Sequence, residues 1–375
     1  MKNLMLNIGK RALPMALSVS ILAIATSSLH GQPAQHYKQT NLVADTSGAT
    51  TTDPNLVNSW GISRSSGSPW WVSDNGTGLA TLYNGNTGAI VPLVVTIPTG
   101  DPNASPTGTP TGQVYNGTQG FQVAKGAPAA FIFATEDGTI SGWNSSANPS
   151  TALIMVNTKS ASVFKGLALA TVNSPSGQSA DFLYAADFRK NRIAVYDTNF
   201  KPIHLFGDAF EDHRIPHGFA PFNVQNIGGN LYVCFAKQDD QKHDEVDGPG
   251  LGYVDVFSPT GRLLLRLQHG SWLNGPWGLA QAPSDFGQFS HDILVGQFGS
   301  GQILAFDPLT GDFKGWLFGT DNNPITIDGL WGIAFGNGAA AGPATTLYFA
   351  AGPGGESHGL VGTLTAVENV LGGDQ

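Results

Sequence analysis

One short pattern recurs along this chain and limits what it can fold into. Asp328-Gly-Leu-Trp-Gly-Ile-Ala-Phe-Gly336 is echoed by Asn274-Gly-Pro-Trp-Gly-Leu-Ala280 and by Asn58-Ser-Trp-Gly-Ile-Ser63. Weaker copies stand at Pro110-Thr-Gly-Gln-Val114, Phe164-Lys-Gly-Leu-Ala168 and Pro221-Phe-Asn-Val-Gln225. Each copy is a strand of small residues, opened by a bulky or polar group and followed by a second apolar strand. The openings at Trp60, Gly112, Gly166, Phe222, Trp277 and Trp331 are spaced by roughly 52 to 57 residues, a long period of the kind that marks repeat architectures.

Within each period the same plan repeats. Trp70 to Asp74 and Leu79 to Asn84 flank the turn Asn75-Gly-Thr-Gly78, where glycine tolerates positive φ. Ala130 to Thr135 and Ile140 to Trp143 flank Glu136-Asp-Gly-Thr139 in the same way. Short apolar or alternating strands divided by Gly, Asn and Asp predict four-stranded blades. Charged residues make up only 12% of the chain and glycine accounts for 49 residues, which suits a turn-dense β protein. The last repeat yields three strands, at 331–335, 346–351 and 360–366, while Tyr37 to Ala44 is a strand without a repeat of its own. Joining the two closes a ring and removes an open sheet edge. The expected fold is an all-β, six-bladed β-propeller in which an N-terminal strand completes the last blade.

The N-terminus reads as an export signal. Lys2, Lys10 and Arg11 precede the apolar stretch Ala12 to Ala25, which is too short to span a bilayer comfortably, and small residues follow up to Gly31. Residues 1–31 are thus expected to be a signal peptide and 32–375 one propeller domain, periplasmic or extracellular, without a membrane anchor. A net charge of −9 and a pI near 5.3 speak against a nucleic-acid partner. The single cysteine, Cys234, lies in an apolar run and excludes an intramolecular disulfide. No Gly-x-Ser-x-Gly elbow, phosphate loop or Cys-x-x-Cys pair is present, which disfavours serine-hydrolase, nucleotide and thiol-redox chemistry.

Several long motifs carry a resemblance. Asp53-Pro-Asn-Leu-Val-Asn-Ser-Trp-Gly61, Phe133-Ala-Thr-Glu-Asp-Gly-Thr-Ile-Ser-Gly-Trp143, Ala220-Pro-Phe-Asn-Val-Gln225, Ala236-Lys-Gln-Asp239 and Ile327 to Asn337 resemble a family of exported bacterial proteins with relatives in giant viruses. The resemblance implies a propeller over about residues 40 to 367 and brings no activity with it. A more distant likeness to NHL-type and gluconolactonase-like propellers is one of fold.

In a propeller, the loop into each innermost strand and the hairpin between the second and third strands share one face. Polar residues at those places converge on the channel mouth. They are Asn58, Asp74, Asn75, Glu136, Lys165, Asp187, Asn223, Gln225, Lys237, Asn274, Gln297 and Asp328, with Glu356 and His358 after them and Trp60, Trp277 and Trp331 beside them. Such a ring suits a small polar or sugar-like ligand. Each member also has a plainer reading: Asp74 and Asp187 cap turns, the tryptophans pack between blades, and Asn274 and Asp328 bond nearby amides. Lys165 and Lys237 are each a single cation aimed at an acidic mouth: a buried pair of Lys237 with Asp239 or Glu136 is structural, and an unpaired lysine points to an anionic ligand.

Oxygen donors at Asn58, Glu136, Asn274 and Asp328 suit Ca²⁺ or another divalent cation. In gluconolactonase-like enzymes an ion sits at the same kind of place, although their ligand pattern is not matched here blade by blade. Asp212-His-Arg-Ile-Pro-His217 offers a second, zinc-like spacing that Pro216 bars from a helix. The acidic excursion Lys237 to Asp247 reads as a solvated flap over the mouth. The leading expectation is a small-molecule-binding propeller; the alternatives are a divalent-metal-dependent lactonase, hydrolase or lyase, and a protein-interaction scaffold.

Overall fold

The recurring glycines place six inner strands around one axis. Blade one is Ser59–Ser63, Trp70–Asp74, Leu79–Tyr83 and Ile90–Thr96; blade two is Pro110–Tyr115, Phe131–Thr135, Thr139–Trp143 and Leu153–Asn157. Blade three is Phe164–Asn173, Ser179–Asp187, Arg192–Tyr196 and Pro202–Ile203, and blade four is Phe219–Ile227, Asn230–Lys237, Gly252–Phe257 and Leu263–Arg266. Blade five is Pro276–Gln281, Ile293–Gln297, Ile303–Phe306 and Phe313–Trp316. Blade six has Leu330–Phe335, Leu347–Ala351 and Leu360–Ala366, and its fourth strand is His36–Ala44. This computed structural model describes residues 36–367 apart from Pro175. The expected signal peptide therefore lies outside the described residues. Among them, no helix is long and apolar enough to cross a membrane.

The ring closes as the spare strand predicts. His36–Ala44 pairs antiparallel with Leu360–Ala366, from Tyr37 opposite Ala366 to Ala44 opposite Leu360. Two short strands, Thr51–Thr52 and Phe318–Gly319, add parallel to the two ends of His36–Ala44. The fourth strand of blade three is short, only Pro202–Ile203. Pairing stops at Ile203, the chain turns at Gly207 (φ 66), and Phe206 between them is 99% exposed.

The glycines explain the repeat. A Cβ at Gly61 would lie 2.4 Å from the Thr111 carbonyl oxygen, and one at Gly112 only 2.6 Å from the Cα of Gly166. Neither has positive φ, so the demand is for space rather than for a special backbone conformation. Asn223 stands where blade four lacks this glycine. Its side chain leans onto Gly166 and its Nδ2 donates to the Trp277 carbonyl at 2.7 Å. Further bonds tie neighbours together: Gln113 Nε2 to the Gly61 carbonyl at 2.8 Å, Thr111 Oγ1 to Phe164 O at 2.7 Å, and Ser59 Oγ to Ala351 O at 2.8 Å.

Between blades the packing is aromatic and aliphatic. Trp71 stacks on Phe131 with ring centroids 4.2 Å apart and leans on Trp143 at 4.9 Å, joining blades one and two. Cys234 is fully buried and free, a small core residue as its apolar run suggests.

Gly112→Ala is expected to lower the unfolding free energy by about 2–3 kcal/mol, because the added methyl meets backbone that cannot yield. Gly67→Ala, where a Cβ meets nothing within 4 Å, should change it by less than about 0.5 kcal/mol. Urea denaturation of both variants against the parent measures the contrast, and equal midpoints would refute the close-approach account.

Candidate functional site

Immediately before each close-approach position stands the residue that fills the axis: Trp60, Thr111, Lys165, Phe222, Trp277 and Trp331. The sequence reading has the three tryptophans packing between blades. The structure corrects this, because they meet one another at the centre of the ring. Trp60 stacks on Trp331 at 3.6 Å between centroids, and Trp277 meets both edge-on at 6.3 and 6.0 Å. Phe298 stacks on Trp331 at 4.0 Å, and Phe222 lies 5.8 Å away. These side chains form one buried cluster that plugs the channel. A void of about 30 Å³, about room for one water, lies beside Trp277.

Lys165 sits directly over this plug, fully buried, with its Nζ 5.0 Å from the Trp60 ring and 6.0 Å from that of Phe222. A buried ammonium needs partners. It has Glu136 at 2.5 Å and Asp244 at 3.1 Å. Burial by itself disfavours the charged lysine, but Glu136, Glu245 and Asp244 together outweigh it and hold its pKa above the usual lysine range. A hydrogen-bond chain runs from there across the blades. Glu136 Oε2 accepts from Asn75 Nδ2 at 2.9 Å, Asn75 Oδ1 from Asn58 Nδ2 at 3.3 Å, and Asn58 Oδ1 from Trp331 Nε1 at 3.1 Å. Trp277 Nε1 donates to the Lys165 carbonyl at 3.2 Å. Asn58 holds its place in the left-handed region (φ 47), which asparagine tolerates better than most residues.

Above the lysine opens a cavity of about 400 Å³, lined by Trp60, Asn75, Glu136, Lys165, His243, Asp244, Glu245, Asp247, Phe298 and Glu356. Four of these come from the blade-four excursion. It is a hairpin over the mouth, as the flap reading expects, with Asp240 to Lys242 exposed at its tip and His243, Asp244, Glu245 and Asp247 on the cavity. Gln238 Nε2 anchors its base to Phe188 O at 2.6 Å, and Asn274 Oδ1 accepts from the Gly248 amide at 2.6 Å at its far end. Its acidic residues divide by environment. His243 Nδ1 bonds Asp244 at 2.8 Å; that bond and Lys165 hold the Asp244 carboxyl below the usual range, and the same bond raises the imidazole against the opposing charge of Lys165. Burial pushes Glu245 up to about 8, with Asp247 and Glu356 adding to it and Lys165 opposing. Burial also raises Asp247, and it raises Glu356 with Glu136 adding to it.

The structure thus gathers Asn58, Trp60, Asn75, Glu136 and Lys165 at one place, and sends other expected site residues elsewhere. Asp74 is fully buried inside blade one, where burial drives its carboxyl well above the usual range. Asp187 is buried beneath Ser162 Oγ (2.9 Å) and Arg192 (3.3 Å). Gln297 Oε1 accepts from the Asn274 amide at 2.7 Å, and Asp328 Oδ2 from that of Gly354 at 2.8 Å. Asn274, Gln297 and Asp328 therefore hold the loops of the mouth without lining its cavity. Asn223 and Trp277 line the narrow axial void, Trp331 is sealed in the plug, and Gln225 belongs to the opposite end. Lys237 bonds the His217 carbonyl at 3.3 Å and lies 5.4 Å over Phe219.

The four expected metal donors do not form one set. Asn58 and Glu136 are joined only through Asn75, and Asn274 and Asp328 are engaged by backbone amides. At the mouth, the donor atoms that do converge, within 4.8 Å of one another, belong to Glu136, His243 and Asp244. The zinc-like stretch supplies His213 to a second converging group with Asp208 and Glu211, all three exposed, while Asp212 is held by Arg214 at 2.7 Å and Arg266 at 2.6 Å. His243, Asp244, Glu245, Asp247 and Phe298 were not singled out by sequence. The available signal was their location in second hairpins, the rule that places Glu136 and Glu356 at the mouth.

Comparison with known proteins agrees with the fold. The chain is 32% identical to the uncharacterized protein R648 of Acanthamoeba polyphaga mimivirus, over 77% of this chain and 71% of that protein. It is 33% identical to the mimivirus protein L690, over 83% and 81% respectively. No protein-family model matches it. A glucose dehydrogenase structure superposes with a TM-score of 0.52 over 88% of this chain and all of that one, at 10% identity, a likeness of fold alone.

Glu245 makes stability depend on pH in a definite direction. Its folded pKa of about 8 lies above the ordinary glutamate value of 4.5. The native state therefore keeps a proton that the unfolded chain has lost, and the stability contributed by this group falls as pH rises through that window. Glu245→Gln should be more stable than the parent at pH 9, by roughly 1 kcal/mol after solvent screening. The two should coincide near pH 4.5. Thermal unfolding across the range tests this, and a difference that does not change with pH would refute it.

Proposed function

The chain belongs to the family of the mimivirus proteins R648 and L690, and we propose that its channel mouth binds a small polar ligand through a positively charged group. One observation carries this reading. Five carboxylates line the cavity, Glu136, Asp244, Glu245, Asp247 and Glu356, and the buried cation among them, Lys165, is already bonded to the first two. Burial holds the pKa values of Glu245, Asp247 and Glu356 above the usual carboxylate range. A cation entering beside them supplies a counter-charge and releases protons as it binds. The aromatic floor of Trp60 and Phe298 suits the apolar side of such a cation, since ring faces attract positive charge. The N-terminal pattern supports placing this binding protein outside the cytoplasmic membrane.

Choline is a suitable probe because its charge does not titrate. Calorimetry on the full chain should show choline binding more tightly than its neutral isostere 3,3-dimethylbutanol and than glucose. Affinity should rise between pH 6 and 9 as Glu245 ionises, and Glu245→Gln or Glu356→Gln should weaken it by about tenfold, the loss of one charge-assisted contact. Glucose binding more tightly than choline would replace this reading with one of neutral polyol recognition.

A second reading, a metal-dependent lactonase, hydrolase or lyase, is favoured by the convergence of Glu136, His243 and Asp244. Oxygen and imidazole donors of this kind suit a divalent ion, which supplies Lewis acidity to a bound carbonyl or water. The ion has to compete with Lys165, whose ammonium already engages both carboxylates. Protein prepared without chelator should then carry metal in elemental analysis and lose it in His243→Ala. Absence of bound metal, together with no uptake of Ca²⁺, Mn²⁺ or Zn²⁺ in titration, excludes this second reading.

A further inference from the structure

The aromatic plug leaves the far end of the channel as a separate chamber, and its chemistry is the reverse of the mouth. A cavity of about 360 Å³ opens there, with Arg64, Gln113, Tyr115, Leu167, Leu169 and Gln225 among its walls. Arg64 is the one charged residue lining it. Its Nε donates to the Phe335 carbonyl at 2.7 Å and its Nη2 to the Gly336 carbonyl at 3.0 Å, pinning blade six to blade one. The guanidinium lies 5.6 Å over the ring of Trp70. Those two bonds use part of its fan of five N–H donors; among the described residues its Nη1 edge meets no acceptor.

The missing partner is a carboxylate. Arg192, Arg214 and Arg266 all pair with aspartates, whereas half-buried Arg64 forms no ion pair among the described residues. Acidic residues outnumber basic ones, 27 to 18, so a solitary arginine in a cavity is not a shortage of carboxylates in the chain. A partly desolvated charge without a counter-ion is costly, and burial draws the Arg64 pKa below its usual value. Two nearby groups are also without a bond. The indole N–H of Trp70, buried in the same wall, finds no acceptor among the described residues. The Gln225 amide, on blade four and thus opposite blade one in the ring, is exposed and engages no protein group among the described residues. Ser63 and Gln113, by contrast, bond each other and the Gly61 and Trp71 carbonyls.

We infer that this chamber is a second binding site, one for a small organic anion whose carboxylate meets the free edge of Arg64 and whose apolar body lies along Leu167, Leu169 and Tyr115. The guanidinium edge presents paired, coplanar donors to such a group. Recognition by permanent charge also separates this site from the acidic mouth, since arginine does not titrate in the ordinary range.

Benzoate and its neutral analogue benzamide test the proposal on the full chain by calorimetry. Benzoate should bind the parent at least about tenfold more tightly than benzamide, and Arg64→Gln should remove that preference, as expected for loss of a charge-assisted pair. Because Arg64 also pins two blades, Gln225→Glu provides an independent variant: an exposed side chain changed to a repelling charge, expected to weaken benzoate by a similar factor without altering thermal stability. Benzoate affinity should stay level from pH 6 to 9, so choline and benzoate results fail or succeed separately. Equal binding of benzoate and benzamide by the parent, or full benzoate affinity in Gln225→Glu, overturns the inference.

Discussion

Backbone contact around the axis is the constraint on which the rest depends. At Gly61, Gly112, Gly166, Gly278 and Gly332 neighbouring inner strands approach so closely that a Cβ would overlap the next strand or the side chain it carries. Side chains are excluded from that level, and the bulky residue just before it on four of the six strands must occupy the level above. Trp60, Phe222, Trp277 and Trp331 therefore have no choice but to meet. Their stack turns what would be a tunnel into two chambers with a shared aromatic floor.

That floor sets the electrostatics of the mouth. An ammonium resting on aromatic rings, away from water, is stable only with carboxylates against it. Glu136 supplies the nearer one from blade two, and Asp244 reaches across from blade four. Their pairing with Lys165 helps draw the long acidic hairpin inward, and it carries Glu245 and Asp247 with it into a region already occupied by Glu356. Burial of these carboxylates, which raises their pKa values, is thus a consequence of packing at the axis several residues away. The chamber at the other end contains no such cluster, and its single arginine stands under the opposite condition, a cation without an anion.

The fold was legible because its cause is local and repeated. Each inner-strand opening, Trp-Gly in three repeats, Lys-Gly and Thr-Gly in one each and Phe-Asn in the sixth, reports a strand that lies against a neighbour, and six reports at regular spacing specify a ring. The unmatched strand at Tyr37 was legible for a related reason, since the last repeat lacked a partner. The candidate site was only partly legible. Asn75, Glu136 and Lys165 followed from the rule that loops before first strands and hairpins after second strands share a face. The same rule also collected Asn274, Gln297 and Asp328, because sequence position alone does not tell a side chain that turns to a backbone amide from one that faces the cavity.

What the sequence by itself determined was the ring of six blades and the acidic character of one mouth, since both come from residue types at fixed places in a repeat. Only the tertiary structure decided that the tryptophans seal the axis, that Lys165 is paired, and that Glu245 and Asp247 rather than Asn274 and Asp328 face the cavity. The physical reason is that rotamer, hydrogen-bond partner and desolvation arise where several blades meet, and no single repeat contains that meeting point.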